Sequence, residues 1–215
     1  MLIRQKSQLG MTLVEIMVAI AVVALLFAAA APNFSSWMQN TRIRNVAESI
    51  QSGLHIAKSE AVHRNATTKF ISCDASSWAV LASSATAVAS GTTLCAGAIN
   101  LTDGWEIVQS QGIDSASSDI NLNFPQGVVA FNGLGRMIST PDDPAGTATP
   151  AATAVDLNLS SANATCTCPS GDCGFPVAVS HSTSGTARCL RIKISNGGSF
   201  RMCDPALPVN TPQGC

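Results

Sequence analysis

The 215 residues carry a formal net charge of −1 and only 12% are charged, so the chain lacks the basic surplus of a dedicated nucleic-acid binder. No G-x-S-x-G, P-loop, Rossmann glycine pattern or H-E-x-x-H occurs, and the sequence therefore presents no enzyme site. Ala, Ser, Thr and Gly are abundant, and all eight Cys lie beyond residue 70, which fits a globular part in an oxidising compartment.

Residues 1–10, MLIRQKSQLG, read as a polar leader ending at Gly10. From Met11 to Ala31 only Glu15 is charged. A helix of that length rises about 30 Å, the thickness of a bilayer's hydrocarbon core. Arg4 and Lys6 precede the run and no basic residue follows until Arg42. Positive charge stays inside, so the leader is expected in the cytoplasm and the chain after Phe34 outside. A secretory signal places its small-residue cleavage site after the apolar region. Here Gly10 stands before it, and a cut there would keep the span. A carboxylate within a spanning helix costs about 2.5–3.5 kcal/mol on insertion scales, so Glu15 calls for a partner.

The segment Gly10-Met11-Thr12-Leu13-Val14-Glu15 resembles the processing site of type IV pilins and type II secretion pseudopilins. The resemblance implies cleavage by a prepilin peptidase between Gly10 and Met11, then N-methylation of Met11 by the same peptidase/methyltransferase. Met11 stands where the family usually has Phe. The resemblance also gives Glu15 an assembly role: in a helical filament its carboxylate meets the new amine of Met11 on a neighbouring subunit. The pairing neutralises two charges that are costly alone, and cleavage becomes a switch, because the amine does not exist beforehand. Pro32 falls where the pilin helix bends, and a proline inside a helix predicts a kink.

Past the apolar run (11–34), residues 35–65 read as a continuing amphipathic helix. Ile43, Val46, Ile50, Leu54, Ala57 and Ala61 recur at gaps of three and four and form one apolar face. Arg42, Arg44, Glu48, Lys58 and Arg64 fill the others, and the helix is expected to end near Arg64-Asn65. The stretch Leu54–Asn65, LHIAKSEAVHRN, is similar to A-R-S-E-A-x-x-R-N of the GspH/FimT group of minor pilins and pseudopilins, with Lys58 in place of Arg.

Residues 66–215 turn β-rich. Expected strands are Thr68–Cys73, Trp78–Leu81, Trp105–Gln109, Gly127–Phe131, Arg136–Ser139, Val155–Leu159, Arg188–Ser195 and Ser199–Cys203, with Gly, Pro, Asn and Asp between them. They suggest one sheet-based domain laid against the helix. Asn123–Ser139 resembles a strand–turn–strand of the same group. Ala82–Gly97 and Pro141–Gly185 read as loops or insertions. The even cysteine count favours disulfides, in any of 105 connectivities if all eight pair. Cys73–Cys95 and Cys189–Cys203 are the preferred pairs. Cys166, Cys168 and Cys173 lack the paired C-x₂-C of zinc sites, and His55, His63 and His181 show no ligand spacing, so no metal is expected.

Near the C-terminus, Arg188–Ser195 and Ser199–Cys203 read as a β-hairpin. Its apolar faces align only if Ile194 opposes Phe200 and Ile192 opposes Met202, which needs a three-residue loop, Asn196–Gly198. Lys193 then opposes Arg201, with Arg191 beside them. Like charges across a strand pair are mildly destabilising, and an anion there would relieve them. FimT-type minor pilins are associated with DNA binding through a basic C-terminal G-R-x-R. Here Gly198-Ser199-Phe200-Arg201 keeps half of it, so Arg188, Arg191, Lys193 and Arg201 are candidate DNA contacts, against a plain solvated strand face. Loss of Arg4 and Lys6 with the leader takes the net charge from −1 to −3, so any such binding should be weak, nonspecific and salt-dependent.

The expected fold is α+β and pilin-like: a long N-terminal helix, half membrane-spanning and half amphipathic, on an antiparallel β domain. The expected role is a minor pilin at the tip or priming complex of a type IV pilus, held first in the bacterial inner membrane with its β domain in the periplasm. Its expected partners are other minor pilins, the major pilin and the peptidase, and no cofactor is expected. The other readings are a DNA-uptake receptor and a type II secretion pseudopilin.

Overall fold

A computed structural model describes residues 11–73, 77–84, 93–94, 99–100, 104–111, 120–124, 127–138, 155–161, 165–166 and 186–215, without the side chains at 29–33, 35, 93–94, 99–100, 161, 165–166 and 186–187. Helix α1 spans Leu13–Arg64, 52 residues. Thr12, in extended conformation, caps its start, and its hydroxyl accepts the Glu15 N–H at 3.3 Å. Asn65 ends it in the left-handed region at φ 48°, with its N–H turned back to the carbonyls of Ala61 and Val62. Asn tolerates that conformation better than most side chains. Pro32 does not interrupt the helix.

The strands follow in chain order: β1 Thr68–Ser72, β2 Trp78–Ser83, β3 Thr93–Leu94, β4 Ile99–Asn100, β5 Trp105–Gln111, β6 Ile120–Asn123, β7 Val128–Phe131, β8 Met137–Ile138, β9 Val155–Ser161, β10 Thr165–Cys166, β11 Thr186–Ala187, β12 Leu190–Ile194 and β13 Phe200–Cys203. They form two principal antiparallel sheets, ordered β5-β2-β1-β7-β8 and β13-β12-β9-β6, and the pairs β3-β4 and β10-β11. All eight expected strands are present. The division into two sheets and the strand β6 are findings of the structure. The expected loops at 82–97 and 141–185 fall largely outside the described residues, although β2 extends to Ser83 and β3 and β9–β10 lie within those spans.

Both sheets turn one face to the second half of α1. The stripe Ile43, Val46, Ile50, Leu54, Ala57 and Ala61 is buried to 8% exposure or less. It packs against Phe70, Val80 and Phe131 of one sheet and Leu157, Leu159 and Ile192 of the other. The stripe ends on two small residues, Ala57 and Ala61, both fully buried near the C-terminus of the helix. The opposite face of the five-stranded sheet holds a smaller cluster of Ile71, Leu81 and Trp105. Buried Lys69 places its ammonium 3.9 Å from the Trp105 ring centroid, a cation–π contact.

Two close approaches fix the helix on the sheets. At Gly53 a methyl group would stand 2.6 Å from Phe70 Cε2 and 3.1 Å from the Trp78 ring, so only glycine lets α1 come this near. Trp78 then donates its indole N–H to Ser49 Oγ at 3.0 Å, and Ser49 donates to Gln111 Oε1 at 2.6 Å. Where the sheets adjoin, Gly198 (φ +74°) touches the carbonyl of Gly135 so closely that a side chain would strike it. Lys58 spans the joint, donating from Nζ to Gly198 O at 2.9 Å. At the helix C-terminus Arg64 bridges Glu60 at 2.7 Å and Glu106 of β5 at 2.9 Å. Those two carboxylates, Glu60 first, raise the Arg64 pKa further.

Gly53→Ala tests the close approach, because helix propensity and packing oppose each other. Propensity alone favours Ala by about 1 kcal/mol, while overpacking a rigid aromatic contact costs about 1–3 kcal/mol. Thermal unfolding in detergent is expected to show a lower Tm for the variant. An equal or higher Tm would mean that the helix does not sit as close as described.

Candidate functional site: the free half of the helix

Among the described residues the N-terminal half of α1 has no packing partner. Between Met11 and Phe27 twelve large apolar side chains are 43–73% exposed. Covering such a set is worth on the order of 20–30 kcal/mol, using roughly 1.5–3 kcal/mol per side chain. No surface of this length stays bare in water, so a second molecule or a lipid phase must meet it. The described residues alone contain no helix long and apolar enough to cross a membrane. The apolar run of the sequence continues to Ala31, through positions whose side chains lie outside them.

Glu15 is the third residue of the helix and is exposed. Thr12 and Glu15 have the spacing of a capping box, and the Thr12 half of it is formed at 3.3 Å. The helix dipole also favours a carboxylate here, by about 0.3–1 kcal/mol and at most about 2. That falls short of the roughly 2.5–3.5 kcal/mol cost in an apolar surrounding, so local capping alone does not account for the acid. Met11 and Thr12 precede the helix and Met11 is 72% exposed, which leaves the start of the described chain extended and reachable. Gly10, the other half of the expected cleavage site, lies outside the described residues.

The basic hairpin has the expected register. Ile194 opposes Phe200, Ile192 opposes Met202 and Lys193 opposes Arg201. The turn is closed by Ser195 N–H to Ser199 O and Gly198 N–H to Ser195 O, both 2.8 Å, around Asn196–Gly198. The chain itself supplies acceptors over the cations. Lys193 Nζ donates to Cys215 O and Arg201 Nη2 to Gly214 O, each at 3.3 Å. Arg191 donates to Asn158 Oδ1 at 2.6 Å and lies 3.9 Å from Asp156, and Arg188 lies 3.6 Å from Asp204. Each of the four candidate DNA contacts thus has an acceptor in its own chain.

That closure explains the one disulfide expectation the structure overturns. Cys203 bonds Cys215, with Cα atoms 5.2 Å apart, and not Cys189. The register sets Arg191 opposite Cys203. Cys189 is therefore two residues further along, about 6.6 Å at strand rise, and Cys203 meets the returning tail, where Asp204 N–H bonds Gln213 O at 2.7 Å. Cys189 and Cys73 are both in disulfides, but the Cys73–Cys95 pairing falls on Cys95, outside the described residues. The fold of 204–215 over the cations had only weak sequence signals, Pro205, Pro208 and Pro212 as turn formers. Lys58, Gly53 and the Gly135–Gly198 contact gave none that marked them as joints.

Among the described residues no His, Cys, Asp and Glu side chains gather to hold a metal. His55 packs edge-on against Phe200, ring centroids 4.3 Å apart. His63 is exposed in the last helical turn, where a cation suits the dipole. Cys168, Cys173 and His181 lie outside the described residues.

Comparison with known families agrees with this division of the chain. Residues 5–31 match the prokaryotic N-terminal methylation motif, which encloses Gly10, Met11 and Glu15. Residues 46–198 match the family described as type II transport protein GspH. The chain belongs to the GspH family. In this GspH-family chain the matched segment runs from the buried half of α1 to the turn of the basic hairpin, and the tail bearing Cys203–Cys215 lies beyond it. No curated protein matches the chain. Two crystal structures of the type IV minor pilin FimU from Pseudomonas aeruginosa (strain PAO1) are similar at 14% and 13% identity. They cover 83% and 80% of this chain and 98% of each FimU chain, with TM-scores of 0.41 and 0.42.

Peptide mapping without reduction tests the tail closure. A cross-linked pair of peptides containing Cys203 and Cys215 is expected. A Cys189–Cys203 pair would contradict the described hairpin register.

Proposed function

We propose that this chain is a minor pilin, a structural subunit and not an enzyme, which joins the tip or priming complex of a type IV pilus. In this reading α1 first holds the chain in the inner membrane as a single pass, with the β domain in the periplasm. A prepilin peptidase cuts between Gly10 and Met11 and methylates Met11. The free half of α1 then moves from lipid into a bundle with other minor pilins and the major pilin. The observation that carries the reading is the division of one unbroken helix. Its second half is sealed into two sheets, and its first half presents a long apolar surface with no partner among the described residues.

Glu15 guides the transfer. In lipid its carboxylate is only partly compensated by the helix start. Beside a neighbour's Met11 amine it gains an opposite charge at low dielectric, so correctly seated subunits are favoured over misplaced ones.

A pseudopilin of type II secretion is the second reading, favoured by the description of the matched family. The Arg201–Pro205 stretch, R-M-C-D-P, supports the pilus branch, and it lies outside the matched segment. A deletion strain separates the two: loss of surface pili with secretion intact supports the pilus, and the reverse supports secretion.

Glu15→Gln isolates the charge, because Gln also serves the third position of a capping box. The variant should be processed and inserted as wild type but recovered in sheared filaments at about one-tenth of the wild-type level or less, as loss of about 1.4 kcal/mol or more per contact implies. Equal recovery would remove the charge from the account of assembly.

A further inference from the structure

Phe34 and Trp37 form an aromatic pair on the outside of α1, between its free half and its buried half. Their ring centroids are 5.8 Å apart and each side chain is 61% exposed. The globular domain begins just beyond: Asn40 Oδ1 accepts the backbone N–H of Arg188 at 2.8 Å, and Ile43 is the first fully buried helix residue. From Leu13, its first residue, to Trp37 the helix rises about 36 Å, and Met11 and Thr12 extend the chain beyond that. A bilayer measures about 30 Å across its hydrocarbon and about 40–45 Å with both headgroup layers. With the charged start of the processed chain in the inner headgroup layer, Trp37 reaches the outer one.

Charge agrees with that placement. The Arg188 side chain, tied by its backbone to the helical turn after Trp37, is 68% exposed and lies 3.6 Å from Asp204, and Arg44 further along is 69% exposed and bridges Glu48 at 2.8 Å. Aromatic rings at headgroup depth with cations just above them match a phospholipid surface, whose phosphates lie outside its glycerol layer. An indole belongs at such a boundary because its ring is apolar and its N–H donates a hydrogen bond.

We infer that Phe34 and Trp37 are a lipid-interface anchor. The pair sets the depth at which the subunit waits in the membrane, with the β domain resting directly above the outer leaflet. The inference rests on the membrane-held stage of the proposed function and adds the surface and the lipid layer that hold it.

The chain itself supplies the probe. Its three tryptophans are Trp37, Trp78 and Trp105, and the last two are 4% and 1% exposed. The processed full chain is reconstituted into vesicles of phosphatidylethanolamine and phosphatidylglycerol carrying brominated lipid, with bromine either near the headgroup or deep in the acyl chain. Flotation measures vesicle binding independently. Fluorescence should be quenched about twofold or more better by shallow than by deep bromine, as a residue in the aromatic belt requires, and Trp37→Phe should abolish that quenching. Vesicle-bound protein without depth-selective quenching would overturn the inference while leaving the membrane stage intact, and would mean that a second protein surface covers the pair. Failure to float would overturn both.

Discussion

Everything in this molecule depends on one helix being asked to live in two surroundings. Its second half satisfies its apolar stripe within the chain, between two sheets, with Gly53 allowing the approach. Its first half carries an equally apolar surface around its whole circumference, which no described element covers. A helix apolar on all sides is stable only in lipid or inside a bundle. The β domain cannot follow it into either, because loops and sheet edges need water or protein for their backbone groups. The result is a subunit with a fixed polarity, one end for an apolar phase and the other for display.

In the proposed function a lone carboxylate in the apolar half turns that polarity into a register. Capping by Thr12 and the helix dipole soften the cost of Glu15 without removing it. In the proposed assembly the unmet remainder is energy that the amine of a neighbour's Met11 supplies when the two subunits are in register. Coverage of apolar surface is non-directional, so it drives association without specifying how subunits align. In the proposed function the single charge supplies the alignment, and leader removal decides when it becomes available.

At the other end the chain closes on itself. The disulfide between Cys203 and Cys215 holds a tail whose carbonyls accept from Lys193 and Arg201. A strand pair with facing cations is thereby made compatible with folding without an external ligand. The hairpin is thus closed by the tail of its own chain, and Arg188, just before β12, is tied through its backbone to Asn40 of the helix.

Much of this was legible in the sequence because periodicity reports burial directly. The 3.6-residue stripe from Ile43 to Ala61 named the buried face, Asn65 marked the end of the helix, and alternation in 190–203 fixed the hairpin register. The split into two sheets was not legible, since strand patterns say which side chains face inward and not which strands pair. The Cys189–Cys203 expectation failed for a related reason: proximity in sequence took the place of the tail's path, which only the fold supplies. Gly53 and Lys58 were silent because their roles depend on atoms far away in the chain, Phe70 and Trp78 for one and Gly198 for the other. The most direct test of the central claim is the intact mass of the chain purified from the membranes of its own host. The account predicts a polypeptide that begins at Met11 and carries one added methyl group, and a mass that retains residues 1–10 would contradict it.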